Sequence, residues 1–230
     1  FTLKAFIELV DVVSLTSFLL SDRARLYTSR FVSRHFQRPM YDYRNVWRRF
    51  TIETVSCVNQ TELCQAAVKL MADVFQVLSV TIWLVDDKKE QLVFAASTFL
   101  SEDKAGKLSQ ENRSAAESIS ALQKKPEPVD IDSSAEPWAV ALRQWQPDEF
   151  QKGGNRICVP MIVGGEIVGL MILGDRVGGV AFSWQDFDLL KCVGDQIAAN
   201  LLNTWLSQKL LQAKELEAFQ TMSAFFVHDL

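Results

Sequence analysis

After Gly194 the sequence contains neither glycine nor proline through to Leu230, and its apolar side chains recur at helical spacing. Residues 183–230 therefore read as one long helix. Ser183 is placed to cap it, and Asp186 stands at the third helical position, where a capping box usually carries Glu or Gln. Leu190, Val193, Ile197 and Leu201 form a first apolar stripe. A second, looser seam follows at Leu202, Trp205, Leu216, Phe219 and Phe226, interrupted by Lys209 and Gln212. At about 1.5 Å per residue such a helix would span roughly 70 Å, too long to stand without a partner along most of its length. The pattern predicts a connecting helix that forms a parallel homodimer. The alternative is a terminal docking helix with a frayed end.

Charge and composition narrow the class. The formal net charge of −4 argues against general nucleic-acid binding. Two histidines, His35 and His228, exclude a histidine-rich metal site. Cys57, Cys64, Cys158 and Cys192 show no C-x-x-C spacing and lie in apolar or helical surroundings, so reduced, buried, cytosolic cysteines are expected.

Residues 1–20 are strongly apolar, but Lys4, Glu8 and Asp11 fall on one stripe of a helix. Two readings stay open: an amphipathic helix on protein or bilayer surface, or the last helix of a multi-pass bundle with its polar stripe inward. Between residues 23 and 49 there are eight arginines and one acid, Asp42. A basic run directly after an apolar segment is the pattern of a chain emerging on the cytoplasmic side of a membrane. A solvated basic helix is the competing reading.

A helix is expected from Asn45 to Cys57, and another from Thr61, a good N-cap, to Phe75. Residues 77–85 and 91–98 read as a hairpin around the polar turn at residues 86–89. Residues 99–112 read as a polar loop, 113–124 as a short helix, 129–132 as a brief strand, and 135–150 as helix or loop carrying Trp138 and Trp145. The clearest β signal is residues 157–163, then Gly164 and Gly165, then residues 166–173: strand, two-glycine turn, strand. Both hairpins are antiparallel and no crossover is needed. The order implies an α+β domain with helices packed on one face of an antiparallel sheet, flanked by an N-terminal helix and the long C-terminal helix.

Val159, Pro160, Met161, the Gly164-Gly165 turn, residues 167–173, Phe182, Asp186 and Leu190 together resemble the closing half of a GAF domain. The resemblance implies that this hairpin supplies two central strands and that the next helix packs on the back of the sheet. It divides the chain into a juxtamembrane helical segment (1–44), a GAF-like sensor domain (45–202) and a connecting helix (203–230). Asp175, Arg176, Phe182, Asp186 and Phe187 partly resemble the signature of cyclic-nucleotide-binding GAF domains, without its Asn-Lys pair and final Glu, which speaks against that ligand. A covalent bilin is disfavoured too, since no cysteine stands in the expected loop context. Trp83, Phe94, Trp138 and Trp145 are candidates to line an apolar ligand pocket, or are simply aromatic core.

A second resemblance concerns the end of the chain. Residues 219–230, with Val227-His228-Asp229-Leu230, resemble the phosphoacceptor box of sensor histidine kinases. His35-Phe36 and the aromatic and basic pattern from Tyr41 to Thr51 add a likeness to the membrane-bound PEP-CTERM-system (PrsK-like) kinases. The implied parent is a two-component sensor histidine kinase at the cytoplasmic face of a bacterial inner membrane, and the sequence reads as a fragment ending just after the box. His228 is then the phosphoacceptor: a neutral imidazole is a usable nucleophile near neutral pH, and its phosphoramidate suits onward transfer. Asp229 would orient the ring and assist proton removal. ATP and Mg are expected in the parent's kinase domain, with no cofactor in this segment, since no G-x-x-x-x-G-K-[ST] or G-x-G-x-x-G occurs. A response regulator would be the downstream partner. Two other classes stay open: a non-enzymatic GAF interaction or ligand-binding dimer, and a GAF-like reductase acting on methionine sulfoxide, which would need clustered reactive cysteines.

Overall fold

The computed structural model describes residues 42–55, 57–86, 88, 91–111, 115–144 and 155–228. The apolar segment 1–20, His35 and most of the basic run lie outside them. The described elements are α1 (Tyr43–Val55), α2 (Gln60–Phe75), β1 (Val80–Val85), β2 (Leu92–Ser97), α3 (Glu102–Glu111), α4 (Ala116–Lys124), β3 (Val129–Asp130), α5 (Pro137–Gln144), β4 (Ile157–Val163), β5 (Glu166–Leu173) and α6 (Trp184–His228). No helix among the described residues is long and apolar enough to cross a membrane.

The strands form one sheet in the order β2-β1-β5-β4-β3, with every pairing antiparallel. The hairpin β4–β5 sits as expected, with β5 at the centre. Gly164 and Gly165 both take positive φ, +62° and +82°, the conformation that a two-residue hairpin turn with the native twist demands. Pro160 lies on β4 beyond its short pairing with β3, where a missing N–H leaves no gap in a ladder on that side.

Alternation along the strands splits the interior in two. Val80, Ile82, Ile157, Val159, Met161, Met171 and Leu173 face one side and pack with α1, α2 and α6. Trp83, Cys158, Leu170 and Ile172 face the other and pack with α3, α4 and α5. The long helices thus occupy one face, as the sequence predicts, and short helices close the opposite face as well.

Two local expectations are corrected. Residues 99–112 contain the helix α3 rather than only loop; its hydrophobic contribution is limited to Ala105 and Leu108. The cap of α2 is Asn59, not Thr61. The Asn59 side chain accepts from the Glu62 N–H at 2.8 Å, and the Glu62 carboxylate accepts from the Val58 N–H at 3.0 Å. That reciprocal pair satisfies two donors and draws the helix start back towards Asn59. The segment after β3 is held to the sheet by Arg156, whose guanidinium meets Asp132 at 2.6 Å and donates to the Arg143 carbonyl at 2.9 Å.

Candidate functional site

Three regions bear on function: the anchored start of α6, the groove beside its exit from the domain, and its exposed continuation.

The anchor is built from residues distant in sequence. Ser183 and Asp186 form the expected capping arrangement: Ser183 Oγ accepts from the Asp186 N–H at 3.3 Å, and the Asp186 carboxylate accepts from the Ser183 N–H. The same carboxylate meets Arg176 Nη2 at 2.7 Å, with both side chains 3% exposed. Arg176 Nε also donates to the Phe75 carbonyl at the end of α2, at 3.1 Å, and its guanidinium lies 4.5 Å from the centre of the Phe182 ring. One arginine therefore ties together the C-terminus of α2, the loop before α6 and the first turn of α6. The sequence points to Asp186 through its capping position; its buried partner is visible only once the loop is folded.

From there Leu189, Leu190, Val193, Ile197, Ala198 and Leu201 are buried against the sheet. Gly194 permits the close approach: a Cβ there would stand 2.8 Å from Val159 Cγ1 on β4. Leu202 and Trp205 are half-buried, and Leu206, Leu210, Leu211, Leu216 and Phe219 are exposed. The helix continues without interruption to His228. The backbone of His228 is its last described residue; its side chain, and all of Asp229, lie outside the described residues.

Beside the exit of α6 lies a groove of about 550 Å³. It is lined by Gln60 at the start of α2, the end of β1 with Asp86, Val93 on β2, the start of β5 from Glu166 to Val168, and Leu201, Leu202 and Trp205 of α6. The lining comes from five elements, and no local sequence pattern links them.

The aromatic candidates fall elsewhere. Trp83 is fully buried and meets Phe94 edge-on at 5.6 Å. Trp138 packs partly buried against the same core. Trp145 lies outside the described residues. The cysteines are all free. Burial pushes the thiols of Cys64 and Cys158 up to about 12 and raises that of Cys57, helped there by the nearby Glu62 carboxylate. Cys192, expected to be buried, is exposed, because it falls on the face of α6 turned from the sheet. No group of three or more metal-ligating side chains gathers among the described residues.

Residues 59–203 match the family model of the GAF domain, and the chain belongs to that family. Among curated proteins none matches the chain. Solved structures share the fold at low identity. The GAF domain of a phosphoenolpyruvate-protein phosphotransferase from Coxiella burnetii superposes with a TM-score of 0.56 at 15% identity, covering 73% of this chain and 97% of that one. Its Acinetobacter counterpart gives 0.55 at 15%, covering 74% and 99%. Free methionine-R-sulfoxide reductase from Neisseria meningitidis, in complex with its substrate, gives 0.51 at 14%, covering 76% and 99%.

Proposed function

We propose that this chain is the sensor and signal-transmission part of a two-component sensor histidine kinase, with His228 as the phosphorylated residue. The observation that carries the reading is the single unbroken helix from the buried Asp186 anchor to His228. A phosphoacceptor at the end of such a helix can respond to the domain that holds its other end, because a change in how the sheet grips α6 alters the presentation of the imidazole. Asp229 would hold the ring and take up its proton. ATP and Mg would be supplied by a kinase domain of the parent, and a response regulator would receive the phosphoryl group. The exposed seam at Leu206, Leu216 and Phe219 supports parallel pairing of two copies. The basic segment would lie under an anionic bilayer at the cytoplasmic face of the inner membrane.

That same seam also suits a purely structural GAF dimer, which is the second reading. A reductase has less support. It would need clustered reactive cysteines, whereas Cys64 and Cys158 are buried, with thiols pushed up to about 12, and Cys192 alone is exposed.

Labelling of the full-length parent with ATP decides between the first two readings. The label on the wild type should be acid-labile and base-stable, and His228→Gln should abolish it while leaving folding and dimerisation unchanged. Full labelling of His228→Gln, or label on His35, would leave the structural dimer as the better reading.

A further inference from the structure

We propose that the groove at the exit of α6 is a socket for a second copy of this chain, entered by the Leu206 side chain of the partner helix. The inference rests on the parallel pairing proposed above and assigns what that pairing does at the surface of the domain.

The spacing of the seam fixes a register. Leu202, Trp205, Lys209, Gln212, Leu216 and Phe219 are separated alternately by three and four residues, as the a and d positions of a heptad are. Leu201 then stands just before an a position, at g, and Leu206 just after a d position, at e. These two positions flank the seam, and in a parallel pair each g residue lies against the e residue five places further along the other helix. Leu201 therefore meets the partner's Leu206, Gln208 the partner's Ala213, and Glu215 the partner's Gln220. No pair sets like charges together, and the first alone joins two large apolar side chains.

That first pair is also the one at the domain. Leu201 is buried and lines the groove, together with the half-buried Leu84, Val168 and Leu202. Leu206 comes nine residues after Ile197, which is about two and a half helical turns and so the opposite side of α6 from the sheet. Its own domain does not reach it, and it is 50% exposed. A two-fold axis parallel to the helices reverses this direction in the partner. The side chain that turns away from one sheet turns towards the groove of the other copy, where an aliphatic lining receives it. Lys209, at the next a position, lays its ammonium 3.9 Å from the centre of the Trp205 ring. The charge in the seam is thereby taken up by its own chain. In an antiparallel pair the domains would lie at opposite ends and both grooves would stay open.

Cross-linking of the whole chain with a short bismaleimide tests this, with Cys192→Ser throughout to remove the exposed native thiol. Lys209→Cys should cross-link to its copy, since equivalent a positions meet across a parallel seam. Val168→Cys chains mixed with Leu206→Cys chains should cross-link to each other. The yield should be at least about fivefold above that with Leu210→Cys, which stands at b, outside the seam, and is 58% exposed. In sedimentation, Leu206→Gln should weaken the dimer at least about tenfold, and Leu210→Gln by about twofold or less. Cross-linking of Lys209→Cys with none between Val168→Cys and Leu206→Cys would overturn the socket and leave the parallel pairing standing. Equal weakening by Leu206→Gln and Leu210→Gln would overturn it too. No cross-link at Lys209→Cys would remove the pairing itself, and the socket with it.

Discussion

The two halves of α6 have similar apolar content and opposite fates. In the first, Leu190, Val193 and Ile197 are 0% exposed against the sheet; in the second, Leu216 and Phe219 are 58% and 68% exposed. The difference lies in what each half is laid against. The first is folded by its contacts, since each buried large aliphatic side chain contributes about 1.5–3 kcal/mol. The second has only helix propensity, which rarely sustains an isolated helix in water. A helix of this kind is therefore half structure and half unsatisfied interface, and substitutions in its two halves should report on different equilibria.

The largest effect should come from the anchor. Arg176→Met leaves the Asp186 carboxylate buried without its charged partner, and breaking a buried pair on one side costs about 3–5 kcal/mol. Urea unfolding of residues 42–230 should show that loss as a lower midpoint. An unchanged midpoint would mean that the pair does not secure the first half.

A smaller loss is expected within the packed stretch. Gly194→Val drives side-chain atoms into Val159 and should cost about 1–3 kcal/mol, whereas Ala213→Val on the exposed half should stay within about 0.5 kcal/mol. Equal effects at both positions would erase the distinction between the halves.

The smallest effect on domain stability should come from Leu216→Glu with Phe219→Glu. Thermal unfolding of the domain should be unchanged within about 0.5 kcal/mol, while sedimentation should move from dimer towards monomer. Earlier melting of the domain would show that the outer half supports the inner one. A monomeric wild type would remove the pairing.

Legibility from sequence follows the range of the interactions concerned. The β4–β5 hairpin was plain because its β-branched strands and two-glycine turn are contiguous. The capping of α6 was plain because Ser183 and Asp186 are three residues apart. The start of α2 is ambiguous by two residues in the sequence because Asn59, Thr61 and Glu62 all suit a helix start, and the reciprocal bonds of Asn59 and Glu62 decide among them. The helix α3 is hard to read because, among the described residues, it brings only Ala105 and Leu108 to the core. The Arg176–Asp186 pair and the groove at Trp205 escaped because each joins elements far apart in the chain, through contacts that no local pattern encodes. The exposure of Cys192 is not legible because an apolar neighbourhood in sequence spans both faces of a helix.

One property of the helix with no break in it is purely geometric. Between Leu201, its last buried side chain among the described residues, and His228 it runs on for about 40 Å at the usual rise of an α-helix. If pairing keeps that length stiff, a tilt of about 5° at the domain surface carries the far end through about 3.5 Å, by the arithmetic of a rigid rod of that rise. Displacements of less than an ångström among the side chains around Leu202 and Trp205 are then magnified into a movement longer than a hydrogen bond. The length of the lever, more than the strength of any single contact, sets how small a change in the sheet can be felt at its tip.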